Sequence, residues 1–178
     1  MAGRILSVRE RCITAVQMRL LEIQKDSGYN FSVTGVYRKD GAHTAARLPP
    51  EIFLFIGTER EGPLTGGTED RLNKLLSIEI RAFTEAAKDI DREFNLMLSD
   101  IERCLPNEKL FSLVDPFYPH GHIRLRPGPN RPVYSNAERG QVFGQINYQI
   151  IYWCMASDPR LWSSDDRHVY EDEFTVPD

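Results

Sequence analysis

Val142-Phe143-Gly144-Gln145-Ile146-Asn147-Tyr148-Gln149-Ile150-Ile151-Tyr152-Trp153-Cys154-Met155 alternates almost residue by residue. Val142, Gly144, Ile146, Tyr148, Ile150 and Tyr152 fall on one side of an extended chain and Gln145, Asn147 and Gln149 on the other, a period of two that fits a half-buried strand and not a helix. Toward its end Ile151 and Trp153 make both sides apolar, so this part should be partly covered by another element or another subunit. A strand this long predicts a sheet.

Working outward, Leu76, Ile78, Ile80 and Ala82 alternate with Ser77, Glu79, Arg81 and Phe83, which predicts a half-buried antiparallel strand. Glu51-Ile52-Phe53-Leu54-Phe55-Ile56 is a short continuous apolar run, expected to be buried on both faces and central. Pro49 and Pro50 lack the N–H that a ladder needs and belong just before it. Tyr29, Phe31 and Val33 also alternate with polar neighbours, and Gly35, placed before Val36-Tyr37, reads as a bulge. His120 to Arg126 predicts a short strand, with Ile123 and Leu125 facing one way and His122, Arg124 and Arg126 the other.

Two stretches have helical spacing instead. Val8, Cys12, Val16, Leu20 and Ile23 recur at steps of three and four, behind the capping box Ser7-Val8-Arg9-Glu10 and before the stop signal Ser27-Gly28. This predicts a helix over about Val8 to Asp26. Thr84 is the expected N-cap of a second helix, with the stripe Ala86, Ala87, Ile90, Phe94, Met97, Leu98, Ile101 and Leu105 ended by Pro106. Each helix has one apolar stripe, so both should cover one core. The expected fold is α+β: a largely antiparallel or mixed β-sheet with two long helices packed on one face. Ile52, Phe53, Phe55, Ile78, Ile80, Phe94 and Leu98 are the expected core.

The 178 residues suffice for one hydrophobic core without staples. Residues 1–156 read as that domain. From 157 to 178 the chain carries seven acids against two arginines, and it is expected either to be mobile or to dock on a neighbour. The net charge of −4 opposes binding held mainly by phosphate neutralisation. Cys12, Cys104 and Cys154 are widely spaced and odd in number, which suits buried, reduced thiols in a cytoplasm-like compartment.

Candidate chemistry is thin. His120-Gly121-His122 could place two imidazoles on one strand face, but a catalytic metal needs a third ligand. The glycine-rich stretch Gly62 to Thr68 lacks the lysine of a phosphate loop. Glu85, Asp89 and Glu93 are spaced to share a helix face, where a solvated surface is the simpler reading. No catalytic, cofactor-binding or metal-binding residue is expected. Glu59 to Asp70 reads as a long exposed loop, and Arg124, Arg126, Arg131 and Arg139 form the strongest basic patch in an acidic chain. That patch is as suited to an acidic protein surface as to phosphate. The expected interface residues are Glu59, Arg60, Glu61, Glu69, Asp70, Arg124, Arg126, Arg131, Arg139 and Trp162.

The order of elements from Ile5 to Met155 resembles the tail terminator (tail completion) proteins of long-tailed bacteriophages. The resemblance rests on the Leu48-Pro49-Pro50 approach to Ile52-Phe53-Leu54-Phe55-Ile56-Gly57, and on Leu76-Ser77-Ile78-Glu79-Ile80 coupled to the helix that ends at Leu105. It implies a non-enzymatic virion protein, assembled in the host cytoplasm, that forms a hexameric ring. The ring would cap the tail tube at its head-proximal end and join it to the neck proteins, with the tail sheath a further neighbour. DNA would pass through its lumen without specific binding. Segments 107–140 and 157–178 are longer than the minimal family pattern. Rival readings are another head-to-tail connector such as a neck or stopper protein, a small metal-dependent enzyme using His120 and His122, and a single-strand nucleic-acid binder.

Overall fold

The computed structural model describes residues 6–39, 50–62, 71–85, 89–105, 124–128, 131–133, 141–157 and 159. Within them the fold is α+β. The strands are β1 (Gly35–Lys39), β2 (Glu51–Glu61), β3 (Arg71–Glu85), β4 (Arg124–Pro127), β5 (Arg131–Val133) and β6 (Gln141–Met155), and the helices are α1 (Val8–Leu21) and α2 (Ile90–Cys104). The six strands form one mixed sheet of order β1-β2-β3-β6-β4, with β5 sharing the β4 edge of β6. Only the β1–β2 pair is parallel. The two longest strands, β3 and β6, pair along their whole length from Arg71↔Met155 to Glu85↔Gln141. They are the spine of the sheet.

Alternation decides which side of that spine is dry. Ile146, Tyr148, Ile150, Tyr152 and Cys154 of β6 are buried beside Leu76, Ile78 and Ile80 of β3. They join Val8, Cys12, Val16 and Leu20 of α1 and Phe94, Met97 and Ile101 of α2 in a single apolar cluster. Both helices therefore fill one core against the sheet. Gly144 is where α2 comes closest: a Cβ there would lie 2.3 Å from the Phe94 ring. Only a residue without a side chain lets the ring rest on β6.

Several expected boundaries move. α1 ends at Leu21 and not near Asp26, with a separate 3₁₀ turn over Lys25–Ser27. Gly28 closes that turn at φ 79°, a left-handed conformation, so the stop signal belongs to the short turn and not to the long helix. The capping box is half formed: Ser7 Oγ accepts from the Glu10 N–H at 3.2 Å, while the Glu10 carboxylate is taken by Arg38 of β1. Residues 29–34 are not a strand. Two of their backbone N–H groups, on Asn30 and Phe31, donate to the buried Asp100 carboxylate at 2.8 and 3.1 Å, and a carboxylate replaces the ladder. Gly35 opens β1 and is not a bulge inside a strand.

The second helix is capped by Asp89, whose side chain accepts from the Arg92 N–H at 3.1 Å, and not by Thr84, which belongs to β3. Pairing with β6 carries β3 on to Glu85, so Glu85, Asp89 and Glu93 do not share a helix face. β2 likewise runs on through Glu59–Glu61, shortening the expected loop from its front. β2 is flanked on both sides, and Glu51 through Leu54 are all buried. Among the expected core residues, Ile52, Ile78, Ile80 and Phe94 lie in the apolar cluster and Leu98 packs partly buried against it. Phe53 is buried as expected but on the sheet's second face, where its place in the alternation puts it with Phe55, which is only half-buried and not part of the core. There Phe53 stacks edge-on with Phe83 at 5.1 Å and tilted with Tyr37 at 5.8 Å. Ala86, Ala87, Pro106, His120, His122 and Ile123 lie outside the described residues.

Candidate assembly surface

Cross-strand register builds the second face in rows. Ser77 of β3 stands opposite Gln149 of β6, which stands opposite Arg126 of β4; one row on, Glu79 faces Asn147, and next Arg81 faces Gln145. On β2 the register slips between Ile56 and Glu59, a bulge that sets Gly57 and Thr58 outside the regular pairing. The first two rows make the floor of a groove of about 520 Å³, walled by Phe55, Gly57 and Thr58 on one side and by Arg126, Pro127 and Gly128 on the other. Two glycines keep it concave. A Cβ on Gly57 would stand 3.0 Å from the Ser77 carbonyl oxygen, and one on Gly128 3.1 Å from that of Asn147.

The charges in the groove are unequally matched. The Glu79 carboxylate accepts from Arg81 Nε and, at 2.9 Å, from the Gln145 amide, while the Arg81 guanidinium lies 4.1 Å from the centre of the Phe55 ring. Its charge is balanced within the sheet. Arg124 and Arg126 project exposed from β4, and no acid among the described residues pairs with either. In register Arg124 meets Ile151, Arg126 meets Gln149 and Arg131 meets Gln145, so three members of the expected basic patch occupy one edge of β6. That edge is locally cationic in an acidic chain.

The acidic members are placed differently. Glu59 follows the bulge and reaches α1, where Arg9 pairs with it at 3.2 Å and the Tyr152 hydroxyl donates to it. Burial, and then that hydrogen bond to a carboxylate, push the Tyr152 hydroxyl upward. Glu61 is paired with Lys74 at 3.1 Å and Arg60 is exposed. The side chain of Arg131, and Glu69, Asp70, Arg139 and Trp162, lie outside the described residues.

All three cysteines are buried, and burial raises the thiols of Cys12 and Cys154, which withholds the reactive thiolate. Among the described residues no group of three or more His, Cys, Asp and Glu is placed to hold a metal ion. What the surface offers is a polar floor, an aromatic wall and an arginine edge. The sequence shows Gln145, Asn147 and Gln149 as one polar side. It does not show that Ser77 and Arg126 share a row with Gln149, because that depends on register, nor that a bulge opens the groove. No protein-family model matches the chain, and no curated protein matches its sequence.

Proposed function

We propose that the chain is a structural subunit of a phage tail terminator ring, which closes the head-proximal end of the tail tube and presents its other side to the neck. The reading rests on the resemblance described above. The observation that carries it is the inequality of the two faces of the sheet: one is filled by α1 and α2, and the other bears a polar groove beside an arginine edge. A ring needs such inequality, because each subunit must offer one patch to its neighbour on one side and a different patch to the other. The pairing of Glu79 with Arg81 and Gln145 keeps the groove floor from repelling an acidic neighbour. In this role the chain performs no catalysis. The tail tube and neck proteins are its partners, the sheath is a further one, and DNA passes through the lumen.

Light scattering and negative-stain imaging of the purified chain, alone and mixed with tail tubes of the same phage, test the reading. Rings of six seated on tube ends, with tube growth arrested, are expected. A monomer that leaves tube ends and tube lengths unchanged overturns it.

A further inference from the structure

Resting on that ring reading, we propose that the groove of one subunit takes an acidic segment from residues 160–178 of a second copy of this chain. Arg126 stands exposed at the groove and Arg124 exposed two residues before it on the same strand, neither with an acid paired to it among the described residues, and Ser77 and Gln149 bring a hydroxyl and an amide to the groove floor. Such a site fits an extended chain carrying carboxylates, whose backbone meets the floor while its acids meet the arginines. The sequence supplies one: Asp165 and Asp166, then Glu171-Asp172-Glu173, in a stretch with only Arg160 and Arg167 against them.

The course of the chain favours a neighbour's groove over its own. After β6 the backbone turns to the α1 side of the sheet, where the Pro159 carbonyl accepts from the Val8 N–H at 3.0 Å. Pro159, the last described residue, thus lies on the helix-covered side of the sheet, opposite the groove. Residues 160–178, reaching about 60 Å when extended, are ample to cross to an adjacent subunit. A segment leaving one face and a groove opening on the other make a head-to-tail contact, the kind that closes rings.

Charge exchange tests this in the full chain. By sedimentation velocity, Arg124→Glu/Arg126→Glu and, separately, Glu171→Lys/Asp172→Lys/Glu173→Lys should each weaken self-association by at least about tenfold, since like charges then oppose. Mixing the two reversed chains should restore association between them. Both substitutions lie at exposed or terminal positions, and an unchanged thermal melt confirms folding. If the wild-type chain assembles and the reversed chains assemble equally well, or their mixture stays dissociated, the groove assignment is wrong while the ring reading stands. A labelled peptide of residues 160–178 provides the second measurement. Its anisotropy should rise on titration with the wild-type chain and far less with Arg124→Glu/Arg126→Glu. Absence of binding, or binding unaffected by the reversal, overturns the assignment whether or not rings form; binding by a chain that never self-associates, alone or on tube ends, overturns the second copy as the donor, and seating on tube ends decides the ring reading separately.

Discussion

β6 presents two unlike surfaces from one run of residues. Ile146, Tyr148, Ile150 and Tyr152 are buried against α1 and α2, whereas Gln145, Asn147 and Gln149, each one residue away, line the second face half-buried and polar. The first set supplies the free energy of folding, because apolar area leaves water there at about 25 cal/mol per Å². The second set is polar and only half removed from water, so it contributes less to folding. Paired substitutions separate the two roles. Ile150→Ala, which empties a fully buried site between Leu76 and Leu125, should cost about 2–5 kcal/mol in urea unfolding. Gln149→Ala next to it should stay within about 0.5 kcal/mol. A comparable loss from both would mean that the second face is also part of the folding core.

Asp100 sharpens the contrast from the covered side. This α2 carboxylate is 2% exposed and accepts from the Asn30 N–H, the Asn30 side-chain amide and the Phe31 N–H at 2.8, 2.8 and 3.1 Å. It ties the irregular segment between α1 and β1 to the second helix. Asp100→Ala strands two backbone donors and should cost about 2 kcal/mol, with faster amide exchange at Asn30 and Phe31 as the local readout. Unchanged exchange there would show that packing alone holds the segment.

The same contrast explains what was legible in the sequence. Alternation in 142–155 and 76–83, and the apolar run at 51–56, are burial written directly into residue order, and all three are strands. The helices were legible as stripes, as were the Ser7 start of α1 and the Leu105 end of α2, but the end of α1 and the start of α2 were not. α1 stops at Leu21 although the buried Ile23 continues its apolar spacing, because the Glu22 and Ile23 N–H groups bond back to the Arg19 and Leu20 carbonyls three residues earlier and tighten the chain out of the α-helix. Thr84 looks like a cap until pairing with β6 draws it into β3, a tertiary preference that local propensity does not contain. Tyr29, Phe31 and Val33 have strand spacing, yet Asp100, about seventy residues away, takes the Asn30 and Phe31 N–H groups. The candidate surface was half legible. Arg124 and Arg126 stood out as charge in an acidic chain, but their row with Ser77 and Gln149 exists only through register.

A smaller effect probes how α1 is held on the covered face. Ser7 caps the helix through the Glu10 N–H, and Ser7→Ala should lower stability by about 1 kcal/mol. Glu10 remains bound to Arg38 in that variant, so the helix should keep its place over β1. Loss of α1 docking, read as amide exchange along Val8–Leu21, would mean that the cap and not the apolar stripe holds it.

The last effect is silent at neutral pH and distinguishes the faces by titration. Tyr148, on the covered side of β6, has its hydroxyl pushed up to about 12 by burial, and Tyr152 is raised as well, by burial and then by its hydrogen bond to Glu59. In the unfolded chain both ionise near pH 10, so between pH 10 and the folded values the unfolded state has released protons that the folded state retains. Unfolding free energy therefore falls as pH rises above 10, and the stabilisation is complete below it. Thermal melts from pH 8 to 11.5 should begin to descend near pH 9, where the Cys12 and Cys154 thiols ionise in the unfolded chain, and should steepen above pH 10, less so in Tyr148→Phe and Tyr152→Phe. A descent equally steep in both variants would assign the alkaline loss to other groups and remove the hydroxyls of the covered face as its cause.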